Sequence, residues 1–408
     1  MNGKAGEKKA GPARASKNAV KSGAAAKKGA AVKKAGEKVF IKGNEAVAKA
    51  AVAAGCRCYF GYPITPQNEI PEMLSYELPK VGGVYVQAES ELAAANMVLG
   101  ASSTGIRSMT SSSSPGVSLM QEAISYMAGS ELPCLIVNMN RGGPGLGDIF
   151  TGQGDYYQST RGGGHGDYRT MVLAPCSCQE AYDLTILAFD LAYKYHTPVI
   201  LHGDGIIGTM KEPVLMWQPK SVNNGDVKKW ELAGAKGRPV RLIKSLRLEE
   251  GKLGEHNRNL MEKYASMKKE AMAEVVDVEG AELVVVAFGS AGRIAKSTVR
   301  QLRAQGKKVG LVRPITLYPF PDDVLCDLAK AGKRFLTIEN NTGQMVDDVR
   351  LAVRHYADSD FYGHMPGNVP SPDDFVEPIL AALKGTGAKP DKMVKTKSTG
   401  KSGKAGVK

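Results

Sequence analysis

Segments typical of strands alternate with segments typical of helices along most of this chain, and that alternation constrains the fold more than any other feature. The first helix is predicted over 45–54, where Gly55 ends it, and a strand over 57–60 follows at once. Further strands are predicted at 84–87, 108–110, 133–138 and 198–202, and further helices at 67–77, 91–102, 115–128 and 179–195. Because this spacing is typical of βαβ units, the sequence predicts an α/β fold with a parallel sheet covered on both faces.

A second and shorter pattern of the same kind follows a charged segment over 216–278, in which a helix is predicted at 257–274. The strands of this second pattern are predicted at 282–288, 308–312 and 334–338, the helices at 292–305 and 322–331, and a proline-rich turn at 314–321. The sequence therefore predicts two α/β domains, over 39–215 and 279–384, joined by a connecting segment over 216–278.

The formal net charge of +13 belongs to the ends of the chain. Residues 1–38 hold 11 lysines and arginines against two acids, and residues 385–408 hold seven lysines against one acid, which leaves the body near −2. Both ends are rich in Ala, Gly and Lys and almost free of aromatic residues, so we expect disordered basic tails. We interpret them as accessory. A polyanion-binding protein that acts through these tails is the alternative from a different functional class, although nucleic acid is not the partner we expect.

The six cysteines do not form the tighter groups of four thiolates that iron–sulfur clusters require, so we expect reduced, buried thiols and no metal site on this chain. They are Cys56, Cys58, Cys134, Cys176, Cys178 and Cys326. No stretch approaches the 18 consecutive apolar residues of a membrane span, and the basic start of the chain lacks the apolar middle of a secretory signal. We therefore expect a cytoplasmic protein with no membrane contact.

Two carboxylates, Glu89 and Glu91, stand at the start of a predicted helix that is small and apolar on nearly every side. Acids at a helix N-terminus complement the helix dipole, which is one sufficient explanation for them. A helix that is apolar all round is also a buried helix, and here its N-terminus lies at the carboxyl edge of the predicted sheet. A carboxylate in that position is partly withdrawn from water, which suits it to proton exchange.

Three further segments follow predicted strands and are therefore expected at the same edge of the sheet. The loop over 61–66 has two prolines and presents the hydroxyl of Thr65. The serines at 111–114 precede a helix, where they offer hydroxyl and backbone N–H groups to an anion, although a plain flexible loop explains them equally. Arg141 leads into a glycine-rich stretch, a position from which a guanidinium can bind a carboxylate through two hydrogen bonds.

Taken together, eight segments resemble the α-type subunit of thiamine-diphosphate-dependent 2-oxoacid:ferredoxin oxidoreductases. They are KGNEA (42–46), GYPITPQNEI (61–70), the helix from Glu89, the serine turn (111–116), RGGPG (141–145), GGHGD (163–167), GDG (203–205) and ENNTGQMV (339–346). The resemblance covers about residues 39–384. The sequence PQNEIP at 66–71 is most similar to that of subunits for branched-chain 2-oxoacids, of the 3-methyl-2-oxobutanoate type. The 2-oxoglutarate type is the alternative.

The resemblance implies a pyrimidine-binding domain over 39–215 and a smaller domain similar to the C-terminal domain of transketolase over 279–384. The implied activity is the coenzyme A-dependent oxidative decarboxylation of a 2-oxoacid to acyl-CoA and CO₂, with reduction of ferredoxin. An enzyme for 2-oxoglutarate would need an additional cation for the distal carboxylate, and Arg161 or His165 could supply it.

The resemblance also implies roles for single residues. Glu91 corresponds to the glutamate that hydrogen-bonds the aminopyrimidine ring of the cofactor and promotes deprotonation of the thiazolium carbon, which makes it the catalytic candidate. Thr65 and Arg141 correspond to positions that hold the carboxylate and carbonyl of the substrate, and His165 is a further candidate in a loop over the site. The residues expected to line the cofactor beside Glu91 are Glu89, Pro63 and Ser112.

The implied cofactor is thiamine diphosphate, shared with a β-type subunit that binds the diphosphate and Mg²⁺. Iron–sulfur clusters are expected on a ferredoxin-like subunit, and ferredoxin, coenzyme A and a γ subunit complete the implied partners and co-substrates. The sequence at 203–205 with Asn223 and Asn224 superficially resembles a motif that binds the metal of this cofactor, but its 17-residue spacer is short. We interpret it as a turn at the end of a strand.

Overall fold

The structure is a computed structural model that describes residues 38–386. The predicted tails lie outside this range except for residues 38, 385 and 386. The elements of the first half are β1 (Lys38–Lys42), α1 (Gly43–Ala53), β2 (Cys58–Gly61), α2 (Glu69–Lys80), β3 (Val84–Gln87), α3 (Glu91–Ser103), β4 (Ser108–Ser112), α4 (Ser114–Gly129), β5 (Cys134–Asn140), α5 (Tyr156–Arg161), β6 (Met171–Leu173), α6 (Cys178–Tyr195), β7 (Pro198–Asp204) and α7 (Gly205–Thr209).

The second half continues with β8 (Lys211–Leu215), α8 (Val227–Trp230), α9 (Lys252–Met267), β9 (Ala273–Val276), β10 (Leu283–Val286), α10 (Gly289–Ala304), β11 (Val309–Pro314), β12 (Thr316–Tyr318), α11 (Asp322–Lys330), β13 (Arg334–Glu339), α12 (Met345–Val353), β14 (Ser359–Gly363) and α13 (Val376–Leu383). Two short 3-10 helices lie at Lys268–Glu270 and Pro372–Phe375.

A seven-stranded sheet forms the centre of the molecule, with the strand order β12-β6-β7-β5-β4-β2-β3. All of its neighbouring strands are parallel except β12, which runs antiparallel to β6. The central strands β5 and β7 are buried along their whole length, as expected for strands covered on both faces. The predicted α/β fold with a parallel sheet is confirmed.

Alternate residues of β5 face two different helical layers. Leu135 and Val137 belong to the core that the sheet forms with α1, α2 and α6, whereas Ile136 belongs to the core formed with α3 and α4. This alternation follows from the two-residue period of a strand. Because α3 follows β3 and α4 follows β4, the N-termini of both helices lie at the carboxyl edge of the sheet, where the loops after β2 and β5 also lie.

A second sheet of five strands has the order β14-β13-β10-β11-β9 and is parallel except for β9. Its residues Val286 and Val312 share one apolar core with α3 and α4 of the first half. Strand β12, from within the segment predicted as a proline-rich turn, joins the first sheet through the pair Thr316 and Leu173. The predicted domain boundaries at 215 and 279 stay a prediction.

The connecting segment differs most from the sequence prediction. The helix predicted at 257–274 is α9, which begins at Lys252 after Gly251 and ends at Met267. Residues Ala273–Val276 form strand β9 because they pair with β11, which lies far away along the sequence. Strands β1 and β8, also not predicted, pair with each other in a small antiparallel sheet. No helix within residues 38–386 is long and apolar enough to cross a membrane, and the expected cytoplasmic location stays a prediction.

Candidate active site

Glu91 is the first residue of α3 and lies at the carboxyl edge of the large sheet. The hydroxyl of Ser90 caps the helix by accepting a hydrogen bond from the backbone N–H of Ala93, at 3.2 Å. The side chain of Glu91 is only 6% exposed. Its carboxylate nevertheless accepts no hydrogen bond from the residues that the structure describes. Its oxygens are not among the fully buried unpaired atoms, so the carboxylate reaches the surface at this edge of the sheet, where a ligand or a partner subunit can donate to it.

The carboxylate of Glu91 rests against the start of α4. A Cβ atom at Gly116 would stand 2.1 Å from the hydroxyl oxygen of Ser112 and 2.5 Å from Oε1 of Glu91. Both side chains therefore occupy space that only glycine leaves open. The hydroxyls of Ser112 and Ser113 are buried and have no hydrogen-bond partner in the described part of the chain. The structure thus brings Glu91 and Ser112 together, next to hydroxyl groups that have no hydrogen-bond partner in the described residues.

The loop after β2 is held in place by a buried chain of hydrogen bonds. The hydroxyl of Tyr59 lies 2.8 Å from that of Ser111, which donates to Oε1 of Gln67 at 2.5 Å. Gln67 in turn donates to the backbone oxygen of Tyr62 at 3.3 Å. Burial raises the pKa of Tyr59, so its hydroxyl stays protonated and available for this network. Ser111, one of the four serines considered as anion donors, is therefore occupied in positioning the loop that carries Thr65.

Arg141 connects this loop to the loop after β5. Its Nη1 donates to the backbone oxygen of Thr65 at 3.1 Å, and its Nη2 donates to the backbone oxygen of Leu146 at 3.0 Å. The Nε atom is buried and has no partner in the described residues. Ser114 accepts a hydrogen bond from the backbone N–H of Arg141 at 3.1 Å. A guanidinium has five N–H groups, so three donors remain for a substrate carboxylate.

A cleft of about 400 Å³ lies beside Arg141 and extends to the second half of the chain. Its lining includes Ser114, the glycine-rich turn over 142–145 and, from the other side, Asn341 and Gln344. Asp155 also lines it and was not singled out in the sequence. Burial raises the pKa of Asp155 above its ordinary value, although hydrogen bonds from Ser114 and Asn138 act in the opposite direction. A loop aspartate of this kind carries no periodic sequence signal.

The turn after β13 forms the wall of the cleft on the second-half side. The backbone N–H of Asn340 donates to Oε1 of Gln153, and the backbone N–H of Gln153 donates to the backbone oxygen of Asn340, both at 2.9 Å. Glu339 is fully buried and accepts hydrogen bonds from the backbone N–H groups of Met345 and Val346, at 2.8 and 2.9 Å. Burial raises its pKa, whereas these hydrogen bonds lower it. The carboxyl end of a predicted strand was the available signal for this turn.

The other residues named from the sequence are exposed. Thr65, Pro63 and Glu89 lie on the surface around the buried Glu91. His165 is exposed as well, and its backbone oxygen accepts a hydrogen bond from Ser125 on α4 at 2.7 Å. His165 is not part of the lining of the cleft beside Arg141. The structure therefore groups Thr65 with Arg141 and Glu91 with Ser112, and places His165 apart. The roles predicted for all of them stay predictions.

The two halves of the superficial metal motif lie at opposite edges of the sheet. Asp204, at the carboxyl end of β7, accepts hydrogen bonds from the backbone N–H groups of Ile206 and Ile207, both at 3.1 Å, and so caps the short helix α7. Asn224 instead accepts a hydrogen bond from Arg107, which precedes β4, at 2.8 Å. Within residues 38–386 no three His, Cys, Asp or Glu side chains group as metal ligands.

Comparisons with known proteins give the same assignment for both halves of the chain. A model of the family described as pyruvate flavodoxin/ferredoxin oxidoreductase, thiamine diphosphate-binding, matches residues 49–277. A model described as pyruvate:ferredoxin oxidoreductase core domain II matches residues 281–375. The first match alone covers more than half of the 408 residues.

The chain matches two curated relatives over nearly their whole length. The ketoisovalerate oxidoreductase subunit VorB of Methanothermobacter thermautotrophicus is 48% identical over 340 residues, which are 83% of this chain and 96% of the relative. The 2-oxoglutarate synthase subunit KorA of Methanocaldococcus jannaschii is 38% identical over 366 residues, which are 84% of this chain and 99% of the relative.

Solved structures show the same fold. The 2-oxoglutarate:ferredoxin oxidoreductase from Magnetococcus marinus, with 2-oxoglutarate, coenzyme A and succinyl-CoA bound, superposes with a TM-score of 0.76 at 27% identity. That match covers 85% of this chain and 66% of the Magnetococcus chain. A split-gene transketolase, described as an inactive β4 tetramer, superposes with a TM-score of 0.53 at 14% identity, over 87% of this chain and all of that one, and shows the fold alone.

Proposed function

The chain belongs to the pyruvate flavodoxin/ferredoxin oxidoreductase family as a subunit of a thiamine-diphosphate-dependent 2-oxoacid:ferredoxin oxidoreductase, and we propose that the complete enzyme acts on 3-methyl-2-oxobutanoate. The proposed reaction converts this branched-chain 2-oxoacid and coenzyme A into the acyl-CoA and CO₂ while ferredoxin is reduced. The observation that carries the catalytic assignment is the nearly buried side chain of Glu91 at the carboxyl edge of a parallel sheet, whose carboxylate has no hydrogen-bond donor among the described residues.

The residues around Glu91 fit the pyrimidine end of thiamine diphosphate. An aminopyrimidine ring offers a nitrogen to a carboxyl group and an apolar face to small side chains. Glu91 would hold the ring nitrogen, and the buried hydroxyl of Ser112, which has no partner in the described residues, is available beside it. The bound cofactor supplies the carbon nucleophile that attacks the 2-oxo group. Because the side chain of Glu91 is only 6% exposed and is fixed at the start of α3, it would be oriented toward the ring before the cofactor binds.

Arg141 and Thr65 are the proposed substrate residues. Arg141 is fixed by two backbone oxygens, so its guanidinium is oriented before the substrate arrives. Its unused N–H groups would bind the carboxylate of the 2-oxoacid. The exposed hydroxyl of Thr65, in the loop held by Arg141, would donate to the carbonyl oxygen.

The surroundings of Arg161 and His165 favour the branched-chain substrate. One of these two residues would have to bind the distal carboxylate in an enzyme for 2-oxoglutarate. Nη2 of Arg161 donates to Asp348 at 2.7 Å, and the guanidinium lies over the ring of Tyr157, with 5.4 Å to its centroid. This charge is therefore already neutralised. His165 is exposed in a loop held to α4 through the hydrogen bond from Ser125, whereas Thr65 is held by Arg141. The higher identity to the ketoisovalerate subunit, at 48% against 38% for the 2-oxoglutarate subunit, supports the same choice.

The proposed enzyme requires partner subunits, and helix α3 supports this. The helix is apolar on nearly all sides, as is typical of a buried helix, yet one of its faces is exposed in the single chain. That face includes Leu92 and Met97, which are 44% and 37% exposed, on the helix that begins at Glu91. The glycine-rich loop adds Leu146 and Phe150, at 81% and 56%. We propose that a β-type subunit, which binds the diphosphate and Mg²⁺, covers this surface, and that a ferredoxin-like subunit with iron–sulfur clusters completes the enzyme.

A test of the proposal begins with the complex purified from its native host through a tag on this chain. Reduction of ferredoxin is measured with coenzyme A and each of several 2-oxoacids, including 3-methyl-2-oxobutanoate, 2-oxoglutarate and pyruvate. We expect the highest kcat/KM with 3-methyl-2-oxobutanoate. A preference for 2-oxoglutarate would refute the substrate assignment, and a complex that oxidises none of these acids would refute the proposed function.

A further inference from the structure

A second cavity, of about 700 Å³, opens at the edge of the large sheet opposite the candidate active site. Its lining includes Glu131, just before β5, and His196, just before β7. Because these strands are parallel, their amino ends lie away from the edge that carries Glu91 and Arg141. Trp230, at the end of α8, and parts of the segment over 242–269 complete the wall. None of the residues proposed for 2-oxoacid oxidation takes part.

The cavity is strongly cationic. Its lining contains one carboxylate, that of Glu131, and five basic side chains, which are Lys194, Lys244, Arg247, Lys263 and Lys269. Lys194 is paired with Glu270, just outside the lining, at 2.6 Å. Glu131 is already neutralised by Lys263, whose Nζ lies 2.7 Å from Oε1. Within the described part of the chain, Lys244 and Arg247 form no ion pair with a carboxylate. The excess positive charge indicates that the natural occupant is an anion.

Two side chains that line this cavity each have a buried N–H group without an acceptor. They are Nε1 of Trp230 and Nε of Arg247, and neither has a hydrogen-bond partner in the described residues. A buried donor without an acceptor costs free energy, so such groups are rare unless a ligand completes them. The guanidinium of Arg247 is held in position through Nη2, which lies 3.2 Å from Nδ1 of His256. His256 is fixed by the backbone oxygen of Gly129 at 2.8 Å.

Apolar and aromatic side chains also line the cavity. The indole of Trp230 meets the ring of His196 edge-on, with 5.4 Å between centroids, and Leu242 and Ile243 lie in the same lining. Burial lowers the pKa of His196, and the charge of Lys263 lowers it further, so the imidazole ring is neutral at neutral pH. A volume of about 700 Å³ is within the usual range for an organic ligand and exceeds what a single inorganic ion needs.

From this combination we propose that the cavity binds an organic phosphate with at least two negative charges and a planar ring, of the size of a nucleoside diphosphate. Lys244 and Arg247 hold the phosphate groups, since both cations are unpaired and the planar guanidinium matches phosphate oxygens. The indole of Trp230 contacts the ring of the ligand and donates its N–H group to a polar atom of the ligand. The site is a binding site, and no covalent step is part of the proposal.

The test uses the assembled enzyme and radiolabelled ADP in equilibrium dialysis. We expect the wild type to bind one ADP per copy of this chain. The double variant Lys244→Ala/Arg247→Ala should lose this binding, or its affinity for ADP should fall at least about tenfold. Trp230→Phe, which keeps an aromatic ring and removes the N–H donor, should weaken the same site to a smaller extent. Inorganic pyrophosphate should displace the bound ADP, because the phosphates provide the charge that these residues recognise.

The matched control is Lys220→Ala/Lys236→Ala, which removes two exposed lysines of the same connecting segment that do not line the cavity. It should bind ADP as the wild type does, and all three variants should keep the rate of 2-oxoacid oxidation, which shows that they are folded. The proposal is wrong if the cavity variant binds ADP with unchanged stoichiometry and affinity. It is also wrong if the control loses binding to the same extent, or if pyrophosphate does not compete.

Discussion

Oε1 of Glu91 lies so close to the backbone of Gly116 that a Cβ atom there would stand only 2.5 Å away, and Cγ of Glu91 would be 2.8 Å away. The position of the carboxylate therefore depends on a missing side chain in a neighbouring helix. Gly116 is buried in the first turn of α4, where glycine is otherwise unfavourable by about 1 kcal/mol relative to alanine. Glycine is nevertheless required here, because the side chains of Glu91 and Ser112 occupy the space that a Cβ atom would fill.

Gly116→Ala should consequently lower activity although alanine is the better helix former. The added methyl group would displace the carboxylate of Glu91, and a misplacement of about 1 Å at a reacting group costs up to about 100-fold in rate. The measurement is kcat for 2-oxoacid-dependent reduction of ferredoxin by the assembled enzyme. Gly254→Ala in α9 is the matched control, because its Cβ would meet only the end of Arg258, at 3.9 Å. Equal activity of the two variants would contradict the importance of this contact.

Glu91→Gln tests the proposed chemistry more directly. The amide is nearly isosteric, so binding of thiamine diphosphate and assembly should persist, whereas the loss of the exchangeable acidic proton should reduce kcat by about 100-fold to 10,000-fold. Rates and cofactor content are measured on the same preparation. Glu89→Gln is the natural comparison, since Glu89 is exposed one residue before the helix cap. If Glu91→Gln turned over at the wild-type rate, the catalytic role would belong to another group.

Much of the fold was predictable because its signals are local. Strand β3 occupies 84–87 as predicted, and α3 ends one residue beyond the predicted 102. Apolar runs, helix caps and glycines within a few residues determine these elements. Strands β9 and β12 were not predicted, because both are short edge strands defined by pairing with β11 and β6, far away in sequence. A pattern within 15 residues cannot contain that information.

The candidate site divides in the same way. Glu91, Thr65 and Arg141 follow predicted strands, and the carboxyl ends of parallel strands meet at one edge, so their common location could be inferred. The hydrogen bond from Arg141 to the backbone of Thr65 could not, since it depends on how two loops fold over that edge. Asp155 was missed for the same reason. His165 follows no strand directly, and its loop packs beside Ser125 on α4.

The exposed face of α3 predicts how assembly can be broken. Leu92→Glu would place a charge at the centre of the surface proposed to contact the β-type subunit, and burial of an unpaired charge costs several kcal/mol. Copurification of the β-type subunit with a tagged chain should fall sharply, and activity with it. Met261→Glu on α9 changes a residue that is 65% exposed and lies outside this surface, so it should copurify normally. Normal assembly of Leu92→Glu would show that α3 faces another neighbour.

Arg313, on β11, joins the second sheet to helix α6 through a buried group of charges. It is 1% exposed and donates through Nη2 to Glu180 on α6 at 2.6 Å, and through Nε to Glu274 on β9 at 2.9 Å. Arg313→Met should destabilise the protein by about 3 kcal/mol, because Glu180 loses its paired cation and Glu274 keeps only Lys296. The thermal midpoint of the assembled enzyme measures this. Arg258→Met, at an exposed site on α9, should leave the midpoint nearly unchanged.

The same pair predicts a dependence on pH. Burial raises the pKa of Glu274, but hydrogen bonds from Lys296 and Arg313 outweigh it, so the pKa lies below its ordinary value of 4.5. A carboxyl group whose pKa is lowered by folding stabilises the folded state above that ordinary value and loses the contribution as the pH falls through the folded-state pKa. The difference in midpoint between wild type and Arg313→Met should therefore shrink below about pH 4.5. A difference that grew on acidification would contradict this sign.

The cysteines provide a final prediction, on thiol reactivity. Five of the six are buried, and burial raises the pKa of Cys56, Cys176 and Cys178 to about 12, so almost no thiolate is present at neutral pH. Cys326, on α11, is partly exposed. A maleimide reagent at neutral pH should therefore add one label per native chain and six after denaturation, as measured by intact mass. Cys326→Ser should remove the native label and keep enzymatic activity. Rapid native labelling at two or more sites would mean that buried strands and helices of this chain open far more often than its close packing indicates.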